Sequence, residues 1–381
     1  MSTQEKPGFL SHFDALEDPR IERKKLYPLA EILLIVLCGS ICGAQSWRDF
    51  VSFGEEKQAY LRQFLPFDNG VPCKNTFARV MSALEPKAFK DCFIAWIQSV
   101  QSTLQELVAI DGKSLRKSFD STQGSSAIHM VSAFATSAQL VLGQEKVDDK
   151  SNEITAIPKL LDLLALEGSI VSIDAMGTQK QLAHMIRQKK ADYLLALKGN
   201  HRQLHEDIRL FLSREIEKSK KQKPNQIVDC YQYCDKGHGR IEQRICYATD
   251  QIAWLDQRSQ WCDLRSIVRV DSYVTIHGET TTEQRYFISS LPPNAREMAD
   301  AVRSHWAIEN SLHWVLDVTL GEDNSGVRKD YAPENMAIVR HITLNLLQNT
   351  KRKYKDMSIK RLQKKAGWGN STLDLILRQE F

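Results

Sequence analysis

No uninterrupted apolar run in the 381 residues is long enough to span a bilayer. The longest, Leu29 to Ala44, contains Glu31 and is broken by glycine, which predicts a buried helix instead. Met1 to Pro7 is polar and lacks the apolar centre of a signal peptide, so a cytoplasmic protein without membrane contact is expected. The paired Cys-x2-Cys motifs of structural zinc sites are missing. The eight cysteines are scattered, which predicts reduced thiols rather than a disulfide framework, and Cys230-x3-Cys234-x3-His238 is read as no metal site. A Gly-rich Walker loop is also absent, which excludes nucleotide hydrolysis by that route. Neither sign of charge dominates: 51 basic against 47 acidic residues leave +4, so a nucleic-acid surface must come from local clustering. With 42% apolar and 26% charged residues, the chain is not mainly disordered, and its length allows two domains or one with an insertion.

What is present divides by periodicity. From Phe9 to about Gln101 the pattern is helical, with helices over Pro28–Cys42, Ser46–Phe64, Asn75–Leu84 and Pro86–Leu104. This predicts an all-helical N-terminal domain over 1–104 for DNA binding or assembly. A helix starting near Lys74 and carrying Arg79 fits either a helix-turn-helix or an ordinary amphipathic helix, with Asn75-Thr76 as its cap. Beyond Leu104 the text turns extended: Leu107–Asp111, then Ile128–Thr136 and Gln139–Val147 as a hairpin. A helix over Ile154–Leu166 leads to a strand ending on Asp174, a helix over Gln179–Lys190, a strand over Asp192–Lys198 and a helix from Gln203 to about Lys218. This order predicts an α/β mixed sheet with crossover helices. A β-rich insertion is expected at about 219–291, followed by helices from Ala295 to about Val318 and from Pro333 to Thr350, and by a basic tail over 351–381. Lys360, Arg361, Lys364 and Lys365 in that tail form one face, either phosphate-binding or solvated.

Two of these strands end in a carboxylate. Leu107 to Ile110 deliver Asp111 into a predicted Gly turn, and taken alone that Asp is as well explained by turn capping. If the first and fourth strands are neighbours, Asp111 and Asp174 approach one another at one sheet end. The helix after the insertion places His305, Glu309, His313 and Asp317 at spacings of four, on one face. His305 and His313 are roughly 12 Å apart along such a helix, too far to share one zinc ion. Glu309 remains as a third carboxylate, and two Asp with a Glu suit divalent-metal phosphoryl transfer.

Several motifs occur together and in order: Ala109-Ile110-Asp111-Gly112-Lys113, Val171-Ser172-Ile173-Asp174-Ala175-Met176, Leu197-Lys198-Gly199-Asn200, His238-Gly239-Arg240-Ile241-Glu242, and His305-Trp306-x-Ile308-Glu309-Asn310-x-Leu312-His313-Trp314-x-Leu316-Asp317. With Glu17-Asp18-Pro19-Arg20 and Tyr27-Pro28-Leu29, they make the chain resemble the DDE transposases of bacterial insertion sequences, the group that includes the H-repeat-associated proteins. The resemblance implies an RNase H-like catalytic core over 105–350 and Mg²⁺-dependent cleavage and joining of DNA, with Mn²⁺ able to substitute. By position it makes Asp111, Asp174 and Glu309 the catalytic and metal-binding triad, with Asp317 and Glu322 as competitors for the third place. Related transposases often carry Tyr, Arg and Lys where this chain has Val302, His305 and Leu316. Lys113, Arg116, Lys198, His238, Arg240, Arg303 and His305 are the DNA contacts expected. The implied partner is double-stranded DNA, both transposon ends and target, bound by a homodimer or larger assembly that is nucleoid-associated when on DNA. A metal-dependent nuclease without strand transfer, and a domesticated DNA-binding protein without catalysis, are the alternatives.

Overall fold

The computed structural model describes residues 7–100, 105–119, 127–148, 152–221, 227–237 and 239–378. Four helices come first: α1 (Leu29–Ile41), α2 (Trp47–Leu61), α3 (Lys74–Ala83) and α4 (Pro86–Val100). The apolar run does form α1, which is buried on almost every side. Its Glu31 is only 2% exposed and accepts a hydrogen bond from the Phe67 backbone N–H at 2.7 Å. A Ser46–Asp49 capping box opens α2. The cap of α3 is Cys73 rather than Asn75-Thr76, while Phe77, Val80, Met81 and Leu84 are buried as their spacing predicts.

Among the described residues nine strands follow, in one mixed sheet: β1 (Leu107–Ser114), β2 (His129–Ala135), β3 (Leu140–Lys146), β4 (Ile170–Ile173), β5 (Asp192–Leu197), β6 (Asp229–Gly237), β7 (Arg240–Thr249), β8 (Ser266–Ile276) and β9 (Glu279–Ser289). Their order is β3-β2-β1-β4-β5-β9-β8-β7-β6. Strands β1, β4 and β5 run parallel, joined through α5 (Glu153–Leu163) and α6 (Lys180–Gln188), and the remaining pairings are antiparallel. The β-rich segment therefore does not stand apart. After α7 (Arg202–Lys221), β6 to β9 extend the same sheet, with β9 hydrogen-bonded to β5.

The helix after the insertion differs from expectation. Only α8 (Ala295–His305) is α-helical; Ile308–His313 and Val315–Thr319 wind as π-helix. Such insertions into a helix are uncommon and concentrate at functional sites. α8 packs on β1 and β4, on the sheet face opposite α5. α9 (Ala332–Lys353) is buried around most of its circumference and packs against α1, α3, α4 and β3. Its Asn335 donates to the Met81 and Leu84 carbonyls at 2.8 and 2.9 Å. Asn345 pairs with both the N–H and the C=O of Val141, at 2.8 and 2.9 Å, and so satisfies the open edge of β3. The expected tail contains two further helices, α10 (Ile359–Trp368) and α11 (Asn370–Leu377), both packed on α9.

Candidate active site

The parallel pairing of β1 with β4 matches Ala109 to Ser172 and Ile110 to Ile173, so the next positions in register are Asp111 and Asp174. Both carboxylates occupy the sheet face covered by α8 and its π-helical continuation. Asp111 is not at a turn. β1 runs on through Gly112 to Ser114, because Gly112 pairs with Val131 of β2 and keeps the chain extended. Glycine is required there by crowding on the opposite face: a Cβ would overlap Glu153 at the start of α5 and lie 2.5 Å from His129 Nε2. β4 does end before Asp174, whose side chain accepts from the Ala175 N–H at 2.6 Å and caps a short 3₁₀ turn. Gly177 closes that turn where a Cβ would overlap Ile173 and lie 2.7 Å from Ile157 Cδ1.

The π-helical segment supplies the other wall. His305 is half-buried and its Nδ1 lies 2.8 Å from Ser172 Oγ; desolvation lowers its pKa to about 4, so the ring is neutral at pH 7. His313 Nδ1 is 3.7 Å from Asp111 Oδ2, and burial lowers this ring to about 4 as well. Glu309 lies between them in sequence, is exposed, and has no ion-pair partner among the described residues. Its charge still reaches Asp111. Burial first, then the negative charges of Glu153, Glu309 and Asp174, raise the Asp111 pKa to about 7, against a stabilising hydrogen bond from the Gly112 N–H. Four carboxylates thus share one field, with Lys198 at the Asp174 side of it.

The competitors for the third place are already paired. Lys113 Nζ meets Asp317 at 2.5 Å, Glu322 at 2.6 Å and Asp323 at 3.7 Å, and Arg340 lies 3.7 Å from Glu322. Lys113, expected on phosphate, is therefore turned inward and only 13% exposed. Arg116 is exposed, 3.5 Å from Asp323. Lys198 is also exposed and lies 3.5 Å from Asp174, within reach of both that carboxylate and solvent. Arg240 bonds Glu242 at 2.5 Å, and Arg303 bonds Asp235 at 2.8 Å, on a groove that Arg244, Arg285 and Glu309 also line. That groove holds arginine and carboxylate in near balance. His238 lies outside the described residues. The sequence reading missed Glu153, since a Glu after the Asn152 cap is an ordinary helix start, and Arg285, which stacks over the Trp306 ring at 4.3 Å. Among the described residues, no three His, Cys, Asp or Glu side chains converge closely enough to hold an ion by themselves.

Residues 102–346 match the family described as the transposase DDE domain, and residues 10–97 match one described as DDE_Tnp_1-associated. YhhI of Escherichia coli K12, an H repeat-associated protein provisionally named a transposase, is 39% identical over 350 residues, covering 90% of each chain. YncI of Escherichia coli O157:H7, also provisionally named a transposase, is 39% identical over 349 residues, 90% of this chain and 88% of its own. The mixed nine-stranded sheet, the ordered motifs and the length of these matches lead to one conclusion: the chain belongs to the DDE transposase family.

Proposed function

We propose that this protein is a transposase that cleaves DNA at the ends of its element and joins them to target DNA, using an RNase H-like core with Asp111, Asp174 and Glu309 as its metal-binding carboxylates. The observation that carries the reading is the β1–β4 register, which puts Asp111 beside Asp174 under the segment bearing Glu309. Mg²⁺ fits this donor set, because it takes one or two carboxylates and keeps several waters, so a closed cage of protein ligands is not needed. Bound there, it would supply charge stabilisation to the attacking and leaving oxygens of an in-line displacement. The chain's own residues then have distinct tasks. Asp111 and Asp174 would hold the ion from the sheet, and Glu309, without an ion-pair partner among the described residues, would offer a further carboxylate from the π-helical wall. His305 and His313, both neutral, add no positive charge and keep that wall packed. Lys198 is poised to bind the phosphate nearest Asp174, while Arg116, Arg240 and Arg303 lie further out for the flanking backbone.

Nicking of duplex carrying the element's ends should require Mg²⁺ or Mn²⁺ and disappear in Asp111→Ala and Asp174→Ala. Joined products in a target plasmid separate transposition from simple nuclease action. Unchanged nicking in Asp111→Ala would refute the assignment.

A further inference from the structure

The helix α10 contributes nothing to the site above, yet it carries four basic residues and lies beside a further basic run. Residues 351–365 hold eight basic side chains against Asp356 alone, a surplus larger than that of the whole chain at +4, so the remainder is net negative. Tertiary packing sorts these charges. Ile359, Leu362, Gln363 and Ala366 are buried, and the Gln363 amide donates to the Ser40 carbonyl of α1 at 3.1 Å. This fixes the rotation of α10 and leaves Lys360, Arg361, Lys364 and Lys365 exposed on the opposite side. None of the four, nor the exposed Lys353 and Lys355, pairs with a carboxylate among the described residues. Trp368, at helical spacing from Lys360 and Lys364, extends the same face and is 79% exposed.

We propose that this face of α10 is a second duplex-DNA contact surface, engaging the phosphate backbone through Lys360, Arg361, Lys364 and Lys365. The proposal rests on the DNA-acting reading above. A merely solvated helix face mixes both signs, whereas α10 contains no acidic residue at all. A membrane-surface helix would need an apolar face free to enter lipid, and the apolar face of α10 is used up in the protein's own core. Repeated phosphates match unpaired cations spaced by single helical turns of about 5.4 Å. The exposed Trp368 ring gives a flat surface to pack against sugar at the C-terminal end of the face.

The test is equilibrium binding of random-sequence duplex, in EDTA to silence cleavage, across a salt series. The variant carries Lys360→Gln, Arg361→Gln, Lys364→Gln and Lys365→Gln, with thermal melting as the fold control. Wild type should bind, and the variant should lose about 3 to 4 from the slope of log affinity against log salt, near 0.9 per phosphate contact. The pairs Lys360→Gln/Lys364→Gln and Arg361→Gln/Lys365→Gln should each lose about half as much, and they stand in if the fourfold variant does not fold. Binding by wild type with an unchanged slope in the variants overturns this surface and leaves the catalytic reading intact. Failure of wild type to bind duplex at low salt overturns both. Loss of binding to anionic lipid vesicles, without loss on DNA, overturns the proposal in favour of a membrane surface.

Discussion

Replacing Lys113 by Met tests whether this residue holds the protein together or holds DNA. Its ammonium, 13% exposed, is the shared partner of Asp317, Glu322 and Asp323 at 2.5, 2.6 and 3.7 Å. Glu322 is only 2% exposed, and the remaining cations are Arg340, 3.7 Å from Glu322, and the exposed Arg116 beside Asp323. Removing one partner of a buried ion pair costs about 3–5 kcal/mol, because the opposite charge is left desolvated. Partial exposure of Asp317 and the residual Arg340 contact place the expected loss near the lower end, about 3 kcal/mol. For a chain of this size that corresponds to a melting temperature lower by roughly 4 °C. Adding Glu322→Gln to Lys113→Met should recover part of it, since the uncompensated charge disappears. Differential scanning calorimetry at pH 7.5, paired with duplex-binding titrations, gives both readouts. A Lys113→Met protein that melts like wild type but loses about 0.9 from its salt slope would refute the inward role and restore a phosphate contact.

Other perturbations have defined outcomes. Gly112→Ala should destabilise by about 1–3 kcal/mol, as the new methyl forces Glu153 and His129 apart, and Gly112→Ala/Glu153→Ala should regain part of this in urea titrations. Loading with Mn²⁺ at about 100 times its dissociation constant should stabilise wild type by about 2.7 kcal/mol in a thermal shift, and Asp111→Asn/Asp174→Asn should not respond. His341 is wholly buried, and desolvation followed by the charges of Lys113 and Arg340 lowers its pKa to about 3. The unfolded ring takes up a proton near pH 6.5 while the folded ring does not, so stability falls as pH drops from 6.5 toward 3. Between pH 7 and pH 5 wild type should therefore lose about 2 kcal/mol more than His341→Leu, read from denaturant midpoints at each pH. Asn345→Leu should cost about 1–3 kcal/mol by leaving the Val141 N–H and C=O unpaired, with faster amide exchange at Val141.

Much of this molecule was legible in one dimension because its signals are local. Alternation and apolar runs located β1 to β5 and marked the later segment as β-rich, and the burial of Phe77, Val80, Met81 and Leu84 followed from helical spacing alone. Glycine misled at Gly112, where residue type suggested a turn and cross-strand crowding with Glu153 and His129 was the actual cause. The π-helical winding after His305 was equally hidden, since the residues from Ile308 to Thr319 read as ordinary helix formers with apolar periodicity.

The sequence by itself determined the two Asp-bearing strands, the helix that offers Glu309, and the run of cations in α10, because each depends on residues close together in the chain. Tertiary structure decided the partners. Only the β1–β4 register could bring Asp111 beside Asp174, and only packing could turn Lys113 away from solvent onto Asp317 and Glu322 while leaving Glu309 without an ion pair among the described residues. Likewise, only burial of Ile359, Leu362 and Ala366 could set the cations of α10 on one open face. The physical reason is common to all three. Charge acts through space on whatever neighbour folding supplies, and a linear spacing of residues does not contain that neighbour.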